Sequence, residues 1–176
     1  SAREGTRRSD GTVYNRIGCE ETHQASLDSE HYKSELGGPN RGRGVASGFW
    51  FNGGGQSAAT LSVNSNGTIN LTEGSVDIGG SRAAMAMIVA EELGLTAEDV
   101  NPQVVDTDSI PHTDGTGGSR VTYATGHACH LAAEDVKQDM CKRAALSLEV
   151  EDGKVEYVGG DFVCKSDSSK RLTFKE

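Results

Sequence analysis

The tetrapeptide Gly-Gly-Ser-Arg occurs twice in the chain, at residues 79–82 and 117–120, and each copy directly precedes a run of helical periodicity. At a helix start several backbone N–H groups have no intrahelical partner and carry the positive end of the helix dipole, so an anion satisfies them. Glycine lets a phosphate approach the backbone. Ser81 or Ser119 can cap the helix or donate to the anion, and Arg82 or Arg120 has the fork geometry that takes phosphate in a bidentate manner. Two such starts suit a ligand with two phosphate groups. The same residues also describe two tight turns with serine N-caps, each worth about 1 kcal/mol to its helix, and the spacing alone does not choose between the two readings.

Other candidates carry a weaker signal. His127, His130 and Glu134 share one face of the second helix, but their spacing is not the H-E-x-x-H arrangement of a zinc helix, so packed or solvated histidines are the plainer expectation. Asp106, Asp108 and Asp114 cluster ahead of the second turn, where a capped polar loop competes with a divalent-ion site. Gly42, Gly44 and Gly48 lack the third-glycine spacing of a dinucleotide fingerprint. Cys19, Cys129, Cys141 and Cys164 are scattered without a C-x-x-C pair, so reduced thiols are expected and no iron–sulfur or zinc site within the chain. No catalytic residue and no metal ligand is assigned.

The elements that would position the two turns follow from periodicity. Residues 82–93 form a helix that is apolar nearly all round and ends at Gly94, a natural left-handed terminator. Residues 120–147 form a second helix, with Ala124, Ala128, Leu131, Ala132, Val136, Met140 and Ala144 on its apolar stripe. Over 58–73 a hairpin is expected, in which a three-residue loop Ser65-Asn66-Gly67 pairs Val63 with Ile69 and Leu61 with Leu71, putting all four on one face. Strands are further expected at 45–51, 103–106, 154–158, 162–165 and about 171–174, a capped turn at Thr96 to Asp99, and a short solvated helix within 20–35. The sum is an α+β fold, a mixed or antiparallel sheet packed against two main helices at about 82–93 and 120–147. Residues 1–40 read as a polar N-terminal segment and 41–176 as the α+β subdomain.

The 176 residues hold 26 acidic and 17 basic side chains, a formal net charge of −9. Nucleic acid and anionic membranes need clustered Lys and Arg, so neither is an expected partner. No segment approaches the roughly 20 apolar residues of a membrane span, and a soluble, cytoplasmic protein is expected. The chain begins without Met and stops just after the strand-like 171–174, which reads as a segment of something longer.

An ordered series of short motifs then brings a family into view. It comprises Gly42-Arg43-Gly44-Val45-Ala46, Asn66-Gly67-Thr68, Gly74-Ser75-Val76-Asp77-Ile78-Gly79, Ala90-Glu91-Glu92-Leu93-Gly94-Leu95, Val104-Val105-Asp106-Thr107-Asp108, Thr116-Gly117-Gly118-Ser119-Arg120, Gly126-His127-Ala128 and Ala132-Ala133. In this order, residues 42–149 resemble the molybdopterin-binding large subunit of the molybdenum hydroxylases, the xanthine dehydrogenase, aldehyde oxidase and carbon monoxide dehydrogenase type. The resemblance implies that the loops Gly79, Gly80, Ser81, Arg82 and Thr116, Gly117, Gly118, Ser119, Arg120 bind the phosphate-bearing pterin, which in some members is a cytosine dinucleotide. It implies a parent reaction of hydroxylation with oxygen from water, on an aromatic heterocycle or aldehyde. The partners it implies are the remainder of the large subunit, 2Fe-2S clusters and FAD in other chains or domains. The family usually carries Gly-Gln-Gly where this chain has Gly79-Gly80-Ser81, so a backbone contact alone carries over at position 80. The family's general-base glutamate has no counterpart before Glu176, and the segment by itself is expected to be inactive. The rival reading is a non-catalytic module that binds phosphate or nucleotide or serves assembly.

Overall fold

The alternation of Leu61 and Val63 with Ile69 and Leu71 sets the hairpin around which the larger part of the protein is built. In the computed structural model, which describes residues 2–48 and 53–176, β1 (Ala59–Val63) pairs antiparallel with β2 (Ile69–Glu73), with Leu61 opposite Leu71 and Val63 opposite Ile69. That is the register expected of the three-residue loop, and Gly67 takes its left-handed position at φ 76°. The alternation carries Ile69, Leu71 and Glu73 to the buried face of β2, so the same pattern that fixes the register takes one carboxylate inside.

From β2 the chain crosses through α3 (Ser81–Glu92) to β3 (Val100–Val104), which lies parallel to β2. The sequence places this strand at 103–106. Pairing with all of Ile69–Glu73 moves its start to Val100. Gly94 ends α3 as expected, with the Leu95 N–H donating to the Ala90 carbonyl at 2.8 Å, and Thr96 and Asp99 close a capping box over the one turn Ala97–Asp99. A loop over 105–120 leads into a π-helical turn, Val121–Thr125, and then α4 (Gly126–Ser147). The chain finishes as an antiparallel meander of β4 (Val155–Val158), β5 (Asp161–Cys164) and β6 (Asp167–Thr173).

One hydrophobic core joins these pieces: Ile69, Leu71, Met85, Val89 and Leu93 meet Cys129 and Ala133 of α4 and Phe162 of β5. Each fully buried Leu, Ile or Met there is worth about 1.5–3 kcal/mol. Two expectations are corrected. Helix α3 is not covered all round, since Met87 is 61% exposed. The buried stripe of α4 runs through Cys129, Ala133, Ala144 and Ala145 and leaves Leu131 outside.

The chain divides into two compact units, Ser1–Phe49 and Trp50–Glu176. The first holds α1 (Cys19–Asp28) and α2 (Glu30–Lys33), where the sequence reads one solvated helix; Ser29 breaks it and caps α2 by accepting from the Tyr32 N–H. The strand expected at 45–51 is absent over 45–48, which are exposed. Gly44 and Gly48 weaken that stretch, and among the described residues no strand pairs with it. Residues 49–51 of that expectation lie outside the described residues.

Candidate functional site

Helices α3 and α4 run side by side in the same direction: a Cβ at Gly126 would lie 2.8 Å from Ile88 Cδ1, and one turn on the His130 ring nitrogen lies 2.9 Å from the Glu92 carboxylate. Their N-termini, and with them both Gly-Gly-Ser-Arg turns, therefore share one end of the helix pair. The dipoles of the two helices point their positive ends the same way.

The two copies are not equivalent. At the first, Gly80 is the N-cap residue in the left-handed region at φ 96°, a conformation glycine takes without strain. The Asp77 carboxylate turns back onto the helix start, accepting from the Gly80 N–H at 3.1 Å and the Arg82 N–H at 3.4 Å, and pairing with Arg82 Nε at 3.0 Å. These bonds, Arg82 first, hold Asp77 below the usual carboxylate range. The chain thus supplies its own anion at this helix start. Ser81 is the first helical residue rather than the N-cap. Its hydroxyl is buried, accepting from the Ile78 N–H and facing Asp77.

At the second copy the roles are redistributed. Arg120 is 3% exposed, and its guanidinium donates to the carbonyls of Gly54, Asp114 and Gln56 and to Ser57 Oγ, all at 2.6–2.7 Å. It is a staple between residues 54–57 and 114–120, and the bidentate phosphate contact expected of it is replaced by these four bonds. Gly118 is buried, and its carbonyl accepts from the Gly53 N–H. Thr116, Gly117 and Ser119 are exposed. Ser119 holds φ 56°, the left-handed backbone that costs a residue with a Cβ roughly 1 kcal/mol or more. Cβ atoms placed on Gly79, Gly80 or Gly117 would meet nothing within 4 Å. That open ground over exposed glycine backbone fits a bulky group that approaches the main chain, and the exposed hydroxyls of Thr116 and Ser119 fit an oxyanion at its edge.

Beneath this end lies a buried polar cluster that the sequence reading missed. Glu73 is 1% exposed and accepts from the Ser75 N–H at 2.6 Å; burial pushes its carboxyl above the ordinary 4.5. Burial, with the charge of Glu73, pushes the Cys129 thiol up to about 12, so it is an inert packing group. All four cysteines are free. The signal that could have found Glu73 is its place in the Ile69, Leu71, Glu73 alternation.

Of the remaining candidates, Asp106 spends its carboxylate on the Asp108 N–H and the Ser109 hydroxyl, and Asp114 on the Gln56 N–H and His112. His130 and Glu134 do converge, with Glu92 of α3, into the one cluster of metal-ligating type among the described residues. The cation position between Glu92 and Glu134 is taken by the Lys137 ammonium, which bonds both. Led by that bond, Glu92 is held at about 2, and the set works as an ionic tie between the two helices.

Among the described residues no helix is long and apolar enough to cross a membrane. The model of the molybdopterin cofactor-binding domain matches residues 18–176. The chain is 33% identical to the carbon monoxide dehydrogenase large chain of Afipia carboxidovorans over 68% of this chain and 15% of that one. It is 31% identical to the xanthine dehydrogenase molybdenum-binding subunit of Escherichia coli O157:H7 over 74% of this chain and 18% of that one. The solved structure of reconstituted CO dehydrogenase from Oligotropha carboxidovorans superposes with a TM-score of 0.62 and 32% identity, over 68% of this chain and 15% of the other. The chain spans less than a fifth of the length of these relatives. With the ordered motifs, the α+β fold and the family model in agreement, the chain belongs to the molybdopterin cofactor-binding domain family of the molybdenum hydroxylases.

Proposed function

We propose that this chain holds one side of a molybdenum-bearing molybdopterin, including its cytosine dinucleotide form, within a larger cytoplasmic hydroxylase. That enzyme would add water-derived oxygen to an aromatic heterocycle or aldehyde and pass electrons to 2Fe-2S and FAD partners, the chemistry residing in the cofactor. This segment's share is anchoring. Thr116 and Ser119 donate their hydroxyls to phosphate, Gly117 lets it reach the backbone, the buried Gly118 ties that turn to Gly53, and Gly79 and Gly80 offer open main chain at the same end of the helix pair. Ser81, Arg82 and Arg120 hold the two turns in shape. The observation that carries this reading is the pair of glycine-rich helix starts at one end of parallel helices, one already closed by Asp77 and the other presenting free hydroxyls.

The test is molybdenum content by elemental analysis and released-pterin fluorescence on the complex purified through this chain. Near-stoichiometric molybdenum and pterin are expected, and Thr116→Val with Ser119→Ala, which removes two hydrogen bonds to a charged group at about 1.5–3 kcal/mol each, weakens cofactor retention at least about a hundredfold and lowers the content of both. A folded complex free of both would support the rival, a non-catalytic phosphate-binding or assembly module. Asp77 sitting in the first anion position is the observation that favours that rival. Replacing Arg120 would unpin the 54–57 segment and so report on packing, not on binding.

A further inference from the structure

A line of hydroxyls runs through the buried end of the helix pair. Arg120 Nη2 donates to Ser57 Oγ at 2.6 Å, Ser57 Oγ lies 3.0 Å from Thr125 Oγ1, and Thr125 Oγ1 lies 2.6 Å from Ser75 Oγ. Thr125 is 0% exposed, Ser75 2% and Arg120 3%. A guanidinium donates and never accepts, so Ser57 Oγ is the acceptor at that end, while at each of the two hydroxyl pairs either oxygen can be the donor. The two ends of the line belong to the two turns. Arg120 closes the second Gly-Gly-Ser-Arg, and Ser75, whose N–H is anchored on Glu73, opens the loop that carries Asp77, Gly79 and Gly80. Thr125 is the link contributed by the helix itself. It is the last residue of the wide π-helical turn Val121–Thr125, a local geometry that re-aims side chains relative to a regular helix and recurs at functional sites.

We propose that Thr125 is a positioning residue for the phosphate site: through Ser57 and Ser75 it fixes the 116–120 turn against the 74–80 loop, so that both face one ligand at a set separation. This rests on the anchoring reading above. The hydroxyl is what matters, since valine fills the same volume without it and serine restores it.

The test uses the intact complex purified through this chain, in wild-type, Thr125→Val and Thr125→Ser forms, and follows the loss of pterin and molybdenum on prolonged dialysis. Thr125→Val is expected to lose cofactor roughly fivefold faster, the order that one buried hydrogen bond supports, with Thr125→Ser close to wild type. If Thr125 acts by holding the Ser119 turn, Thr125→Val adds little once Ser119→Ala is present, a non-additivity that loss of packing alone would not give. Should Thr125→Val not fold, Ser75→Ala breaks the same line at its other end and carries the same expectation. Wild-type retention in Thr125→Val, equal loss in the serine variant, or additivity with Ser119→Ala each overturns the inference and leaves the anchoring reading standing. A wild-type complex that holds neither molybdenum nor pterin overturns both.

Discussion

The residues that look most alike in this sequence do opposite things in the fold. Arg82 is exposed and neutralised by Asp77, whereas Arg120 is buried and satisfied by three carbonyls and a hydroxyl. A charge taken inside is tolerated where its polar atoms are hydrogen-bonded, and each of the three guanidinium nitrogens of Arg120 has a partner. Glu73 does not meet that condition as fully: one N–H supports its carboxylate while burial works against the charge. Its pKa is raised above the unfolded value, so its contribution to stability is complete below about pH 4.5 and declines as pH rises through the folded value. Glu73→Gln, which keeps an acceptor for Ser75, is therefore expected to stabilise the chain by on the order of 1 kcal/mol at pH 8 and by far less at pH 4. Urea unfolding midpoints of variant and wild type at the two pH values check this; an equal difference at both would mean that the charge of Glu73 is not the cause.

At the scale of elements, the joints between helix and sheet tolerate least change. Gly94 ends α3 at φ 58°, and a Cβ there would lie 2.5 Å from Gly160 Cα and 2.7 Å from the Tyr157 hydroxyl. Both strain and contact oppose a side chain, and the nearest obstacle is the backbone of the β4–β5 turn. Gly94→Ala is expected to cost about 2–4 kcal/mol and to lower the thermal midpoint by several degrees, whereas Gly117→Ala, placed in open space, costs little. Much of this layer was legible beforehand. The Leu61, Val63, Ile69, Leu71 alternation fixed the hairpin register, Gly94 fixed the end of α3, and the strands expected at 154–158 and 162–165 are where β4 and β5 lie. What escaped has a common physical cause. The shift of β3 to Val100, the π-helical turn before α4 and the carbonyl partners of Arg120 depend on contacts between segments distant in the chain, and local periodicity carries no trace of them. The candidate site follows the same division: the two turns were visible as motifs, but their inequivalence was not, because Asp77 and Arg120 acquire their roles from what they touch.

On the scale of the whole molecule, burial is distributed very unevenly. Among the described residues every buried one lies in the second unit, and none of residues 2–48 is buried. Ordering that segment gains little apolar burial to offset a conformational cost of about 1–2 kcal/mol per residue, so in isolation it should open readily. If residues 1–40 pack on the remainder of a larger subunit, the missing burial comes from that remainder. Trypsin is expected to cut the isolated chain first at the exposed Arg3, Arg7, Arg16, Lys33 and Arg41, leaving a resistant product that keeps the core formed by Ile69, Met85, Cys129 and Phe162. In the complex purified through this chain the same bonds should be cut at least about tenfold more slowly, a protection that about 1.4 kcal/mol of added burial provides. Mass spectrometry of the early products reads both rates, and equal cleavage of the five sites in the two settings would show that the segment gains no cover from its partners.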